Sequence, residues 1–409
     1  MVRSIKHLEY TDFSITKDSI LNFHWCNWYK GMIWAYASRI NALFRICPRT
    51  AQCDFMGYPL FPERLGWKMR QVGIYKDWLI SIKRDGRYVE IFNLETGERK
   101  GVLLKNIDNT IYDCHTPILI ENKLILFSNK GINIYECNID KMIVKCINEI
   151  DVDCFEVKEH EEIERLYCCD NLLIGAVGKL GILSKRSELL FINLDDGSSE
   201  TYRIETNDSG VADIISTEDL IFILFNDGGV ASYGKEKKEL KEFYPTKDVL
   251  HKGTYCKMLL VQNKLWIFPA TKENILILDL QRKSRDVYEG YPPDFVYQFP
   301  ENHGKFLGFT EDENKFYVGQ RSANYMMIID KNTGKEEWIQ IKFPSHFYEE
   351  IWLPGIIDDI KSRKKEVVLE EEVKMKDFLD ELCYLQKENS NYPSSMGQRI
   401  YEIVKLYMK

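Results

Sequence analysis

Seven side chains in this sequence have the types and the placement to hold an anion. Arg39, Arg84, His115, His251, Lys272, His303 and Arg321 each fall in a short polar segment beside or between apolar runs. Arg39, Arg84, Lys272 and Arg321 lie between two runs, as do Arg87, Lys130, Lys185 and Arg186; the histidines come just before a run, as in His115-Thr116-Pro117, His251-Lys252-Gly253 and His303-Gly304-Lys305. A guanidinium offers a planar fork that matches a carboxylate or a phosphate, and Lys or protonated His adds charge beside it. The chemistry these residues could do together is capture of an anionic ligand, such as an acidic carbohydrate or a related metabolite.

Other chemistries find less footing. Eleven cysteines are scattered without a C-x-x-C pair, which reads as reduced thiols in a reducing compartment. His24-Trp25-Cys26 has the types for a soft metal, but neighbours in a strand point to opposite faces, so no metal is assigned. Cys168-Cys169 has no base that the sequence can supply, and neither a Gly-rich phosphate loop nor a persuasive Ser-His-Asp set occurs. No cofactor is expected.

What must position the seven residues is a repeat. Ile33, Leu79, Leu124, Leu173, Ile221, Leu265 and Phe316 each open a hairpin, at separations of 46, 45, 49, 48, 44 and 51 residues. That period suits the four-stranded blade of a propeller. The clearest copy reads strand A (Met258 to Val261), a corner at Gln262-Asn263, strand B (Leu265 to Phe268), a turn, strand C (Ile275 to Leu278), a second turn and strand D. Its inner runs are apolar at every position, as strands covered on both faces must be. The fold expected is all-β: a seven-bladed β-propeller of four-stranded antiparallel blades over 1–343, followed by a C-terminal α-helical extension over 344–409.

The C–D turns carry Asp, Asn and Gly, as in Asn93-Leu94-Glu95-Thr96-Gly97 and Asn193-Leu194-Asp195-Asp196-Gly197. The stretch Asp330-Lys331-Asn332-Thr333-Gly334-Lys335-Glu336-Glu337-Trp338 resembles quinoprotein-type (PQQ-like) and related propeller repeats, in which Gly closes the turn and Trp packs from the outer strand. The resemblance implies the fold. Thr96-Gly97 lacks the Trp and the other copies lack Thr-Gly, so it implies no quinone.

Two segments break the rhythm: 51–69, read as an elaborated loop between the first two blades, and the acidic 148–164, read as a solvated outer strand and loop. In the tail, Met375, Phe378, Leu379, Leu382 and Leu385 fall at helical spacing, and so do Ile400, Ile403, Val404 and Tyr407, which predicts two amphipathic helices that bury these stripes against the propeller's own rim first, or else against each other or a partner. Net charge of −8 argues against nucleic acid, and no apolar run is long enough to span a membrane. A cytoplasmic binding or scaffolding module is the first reading, its partner a protein or an anionic small molecule. The alternative is a lyase, epimerase or hydrolase acting on an anionic carbohydrate at the same basic mouth. Fold alone does not choose between them.

Overall fold

Short runs rich in β-branched and aromatic residues, closed by Gly, Asn or Asp, fold here as antiparallel meanders. The computed structural model describes residues 10–11, 23–37, 41–60, 69–83, 88–104, 118–128, 131–138, 141, 143–151, 161–169, 172–179, 188–193, 198–203, 211–236, 239–245, 255–270, 274–293, 295, 306–320, 324–344, 347 and 350–351. A two-residue strand, β1 (Tyr10–Thr11), comes first. Sheet 1 follows as β2 (Phe23–Tyr29), β3 (Met32–Ala37), β4 (Ala42–Ile46) and β5 (Cys53–Gly57). Sheet 2 is β6 (Met69–Tyr75), β7 (Trp78–Lys83), β8 (Tyr88–Asn93) and β9 (Arg99–Leu103). Sheet 3 is β10 (Ile118–Ile120), β11 (Lys123–Ser128), β12 (Gly131–Asn138) and β13 (Ile143–Asp151). Sheet 4 is β14 (Glu161–Cys169), β15 (Leu172–Lys179), β16 (Glu188–Asn193) and β17 (Ser199–Arg203). Sheet 5 is β18 (Val211–Ser216), β19 (Leu220–Phe225), β20 (Val230–Gly234) and β21 (Leu240–Tyr244). Sheet 6 is β22 (Tyr255–Val261), β23 (Lys264–Pro269), β24 (Leu276–Asp279) and β25 (Ser284–Val287). Sheet 7 is β26 (Phe306–Glu311), β27 (Lys315–Gln320), β28 (Tyr325–Asp330) and β29 (Glu336–Gln340), and β30 (Phe343–Pro344) comes after it.

Among the described residues, then, the chain is all-β, in four-stranded antiparallel sheets hydrogen-bonded in chain order, an architecture consistent with a β-propeller. Each hairpin anchor, from Ile33 to Phe316, lies in the second strand of its sheet. Burial falls outward: β19 and β23 are buried at every position but the first, whereas β21 and β25 are largely exposed. Inner strands are covered by the sheets on either side, which is why they are apolar without alternation.

Two segments fold differently from their sequence reading. Within 51–69, Cys53–Gly57 is the outer strand β5, with Cys53 buried and the rest half-buried. Its mixed composition is that of an outer strand, and it resembles a loop when only the apolar runs are counted. The acidic 148–164 is divided: its start belongs to outer strand β13, while Glu161 to Glu164 open the first strand of the next sheet, β14.

Apolar clusters join neighbouring sheets. Trp34, Tyr36 and Leu43 meet Leu79 and Phe92 between sheets 1 and 2, and Ile80 and Ile91 meet Leu124 and Tyr135 between sheets 2 and 3. Phe191 joins Val211 and Ile214 between sheets 4 and 5; Leu224 and Val230 join Met258 and Leu265 between sheets 5 and 6; Trp266 and Phe268 join Phe306 and Val318 between sheets 6 and 7. The first sheet packs on the last. Phe23, Cys26 and Phe44 share a cluster with Tyr317, Met326 and Ile328, the Trp28 ring stacks on Tyr317 at 4.9 Å, and the Trp28 amide donates to Thr310 Oγ1 at 2.9 Å.

Main-chain pairing reinforces this closure. β1 pairs with β30, Gln52 bridges to Lys342, the Cys53 amide donates to the Lys342 carbonyl, and the Lys342 amide donates to that of Ala51. Phe347 and Ile351 are buried in the same cluster, and Tyr58 Oη donates to the Ile351 carbonyl at 3.0 Å. The segment after β30 therefore begins inside the seam between sheets 1 and 7. The two amphipathic segments expected around Met375 and Ile400 lie outside the described residues.

The first strand of sheets 1, 2, 5, 6 and 7 carries a register shift near its beginning, at Phe23/Trp25, Gln71/Gly73, Val211/Asp213, Tyr255/Lys257 and Phe306/Phe309, and that of sheet 4 carries one mid-strand, at Glu164/Leu166. A bulge of this kind bends and twists the strand, bringing it against its neighbour. Gly308, in the bulge of β26, has φ of +73°, and a Cβ there would stand 2.7 Å from Cys26 Sγ and 2.8 Å from the Phe23 carbonyl. Gly308→Ala is expected to cost roughly 2–4 kcal/mol, from a left-handed conformation and from overpacking together. Urea unfolding checks this, and an unchanged midpoint would show that the seam yields more easily than its contacts imply.

Candidate functional site

In each meander the first and third strands run one way and the second and fourth the other. The second-to-third turn and the crossover into the next sheet therefore leave at one end, the end where the first strands are bulged. Arg39, Arg84, Lys272 and Arg321 belong to such turns, and His115, His251 and His303 to such crossovers; all seven lie outside the described residues. What is described is the strand ends that these segments join and the polar groups around them.

Between sheets 5 and 6 those groups form an inter-sheet tie. Asp213 and Lys257, each next to the bulge of its first strand, pair at 2.9 Å, and the second Asp213 oxygen accepts the Met258 amide at 2.9 Å. Asp227 and Gly228 make the turn of sheet 5: Asp227 Oδ1 accepts the Gly229 amide at 2.8 Å, and Gly228 has φ of +85°. Their role is turn geometry, as their types imply.

Arg285, on outer strand β25, reaches across the same seam. Its Nη2 donates to the Tyr244 carbonyl at 3.2 Å, while Nη1 is buried without a hydrogen-bond partner. Burial lowers its pKa from the ordinary guanidinium value, against the pull of Tyr255 and Asp227. The sequence reading passed over Arg285 because outer strands are polar throughout, and nothing in its type distinguishes a solvated Arg from one folded inward.

In sheet 7 the turn holding Arg321 is flanked by two buried amides. Gln320 is 2% exposed and Asn324 8% exposed; neither side-chain atom of Gln320 has a hydrogen-bond partner, nor does Asn324 Nδ2.

Between sheets 1 and 2, Glu90 is fully buried. Its Oε2 accepts the Leu60 amide at 2.8 Å, and Oε1 accepts from Arg99 Nη1 at 3.4 Å and Tyr36 Oη at 3.3 Å. Arg99 also donates to the carbonyls of Tyr58 and Met56, at 2.5 and 2.6 Å, and lies 4.5 Å over the Phe92 ring. Outer strand β5 and the start of the crossover after it are thus held by a charge network rooted in sheet 2.

At the opposite end main-chain bonds tie the turns of one sheet to each other. Leu94, Lys235, Leu280 and Lys331, each just past a third strand, and Cys137, the last residue but one of β12, donate their amides to the carbonyls of Asp77, Asp219, Asn263, Asn314 and Asn122 in the first-to-second turns, at 2.7 to 2.9 Å. Asp330 Oδ1 accepts from the amides of Asn332 and Thr333 and from Thr333 Oγ1, and Gly334 closes that turn at φ of +69°. Asn93 and Gly97 repeat the device, and Asp279 does so with Lys283, at φ of +53°, where a glycine would serve. Trp338 Nε1 donates to Tyr288 Oη at 2.9 Å, so the outer-strand Trp packs on sheet 6. The acids of this end build turns and pair with bases: Lys30 meets Glu95 at 2.7 Å and Asp77 at 3.5 Å, and Lys331 meets Glu311 at 2.6 Å. Its described residues mix both signs.

No protein-family model matches the chain, and no curated protein sequence matches it. Solved structures do. The computationally designed Ika8 protein is similar with a TM-score of 0.51 at 11% identity, over 79% of this chain and 88% of that one. PorZ, described as an essential bacterial surface component of the type-IX secretion system of Porphyromonas gingivalis, is similar with a TM-score of 0.52 at 12% identity, over 79% of this chain. This chain spans 38% of PorZ. At such identities the likeness shows the fold alone. Among the described residues no helix is long and apolar enough to cross a membrane.

Proposed function

We propose that the sheets are seven blades of a closed β-propeller that serves as a binding or scaffolding module and takes an anionic ligand at its bulged end. Arg285 is the observation that carries this reading. A guanidinium with one nitrogen buried and without a hydrogen-bond partner is stabilised when an anion completes its fork. Arg39, Arg84, Lys272 and Arg321, with His115, His251 and His303, would add positive field at the same end. The chain beyond the seam residues Phe347 and Ile351 is proposed to be helical and to offer a protein partner a second attachment. Thiols at Cys26, Cys47, Cys53 and Cys137 that are not joined in disulfides support a reducing compartment such as the cytoplasm.

Titration with phosphate, citrate and glucuronate at low salt, followed by calorimetry, tests the anion site. Saturable binding is expected, weakened about tenfold or more in Arg285→Ala and in Arg321→Ala, which is about 1.4 kcal/mol or more in each. Anion affinity that is absent from the wild type, or untouched by both substitutions, would overturn the reading.

A further inference from the structure

The seam between sheets 6 and 7 holds a polar group that the sheets do not satisfy. Gln320 ends β27 opposite Phe306 of β26. Side chains alternate along a strand, so Gln320 shares the face of Val318, which packs with Phe268, Phe306 and Met327. Leaving both ends of a buried carboxamide unpaired is less favourable than an apolar side chain of the same shape. The pair of groups suits a ligand that offers a donor and an acceptor side by side.

Half-buried rings lie along the same seam. Tyr325 opens β28 just past the turn from Gln320, and its ring stands 6.4 Å from Phe295. Phe295 stacks on Tyr291 at 5.1 Å and 28° and meets Trp338 at 5.5 Å. A ligand with an apolar face and a polar rim would meet rings and amide together. That description fits a pyranose ring.

We propose that this seam, at its bulged end, binds a neutral sugar unit: one hydroxyl donates to Gln320 Oε1, its neighbour accepts from Nε2, and the CH face of the ring lies on Tyr325 and Phe295. Both amide atoms are closed to solvent, so the sugar enters by parting the Gln320 and Tyr325 strand ends from sheet 6. This site uses no charged group and stands or falls apart from the anion reading.

The test is a thermal-shift and saturation-transfer titration of the full chain with glucose, galactose, mannose and N-acetylglucosamine. At least one is expected to raise Tm saturably and to receive saturation on its ring protons. Gln320→Leu should abolish that response while raising the Tm of the unliganded protein, since the unpaired amide is gone; Gln320→Met serves the same end if the Leu variant does not fold. Val287→Ser, at an exposed position on β25, should respond as the wild type does. The proposal is overturned if no sugar shifts the wild type, if the shift survives in the Gln320 variants, or if those variants are less stable without ligand. A response to N-acetyl-glycyl-glycinamide in place of the sugars would overturn it in favour of a peptide.

Discussion

Arg99→Ala is expected to lower the free energy of unfolding by about 3–5 kcal/mol, the cost of leaving a buried carboxylate without its partner. Arg99 is 11% exposed at its side chain and Glu90 is not exposed at all, so solvent does little to replace what is lost. The substitution also frees the Tyr58 and Met56 carbonyls, and with them the start of the crossover that leaves sheet 1. Glu90→Gln should be milder and should alter the response to pH. Burial raises the Glu90 pKa above its ordinary 4.5, against the Leu60 amide, Arg99 and Tyr36, which lower it. A carboxyl raised in the folded state contributes stability that is fully present below the unfolded value and is lost as pH rises through the folded one. Relative to Glu90→Gln, the wild type should therefore gain stability as pH falls from neutral towards about 4.5. Urea unfolding of both proteins across that window reads the difference; parallel curves would mean that Glu90 does not titrate where its burial places it.

Truncation after Pro344 should leave the sheets about 5 kcal/mol or more less stable than truncation after Ile351. The first cut removes Phe347, which is fully buried between Phe343 and Phe44, and Ile351, which is 5% exposed. Loss of a buried Phe costs about 3–5 kcal/mol and of a buried Ile about 2–5. It also leaves Tyr58 Oη without its acceptor. Thermal unfolding of the two truncations separates the latch from whatever follows it. Equal stability would show that Phe347 and Ile351 lie on the seam without holding it.

Much of the fold was legible because it rests on inner strands. Leu265 to Phe268 or Met326 to Ile329 must be covered on both faces, and only a strand between two sheets is covered so; the anchors then fixed where each sheet begins. Outer strands were less legible, since Cys53–Gly57 alternates too weakly to stand out from a loop. The groups that give the site its electrostatics were harder still. Glu90 sits in a run read as strand, Val89-Glu90-Ile91-Phe92, and its meaning depends on Arg99 nine residues later and on Tyr36 in another sheet. Gln320 and Arg285 matter because of bonds they do not make. The seven basic and histidine candidates, by contrast, were chosen by type and by turn, and turns are where Lys and Arg are common for solubility alone.

The tie between the turns at the end away from the mouth has an evolutionary consequence. It joins a main-chain amide to a main-chain carbonyl, and the donors are in turn Leu94, Cys137, Lys235, Leu280 and Lys331. A bond that ignores the side chain places no demand on the codon beyond excluding proline. After an ancestral unit is duplicated, each copy is free to respell that position while its outer hairpin stays fastened to its inner one. Copies in such a chain can diverge until they share little beyond a rhythm of apolar runs.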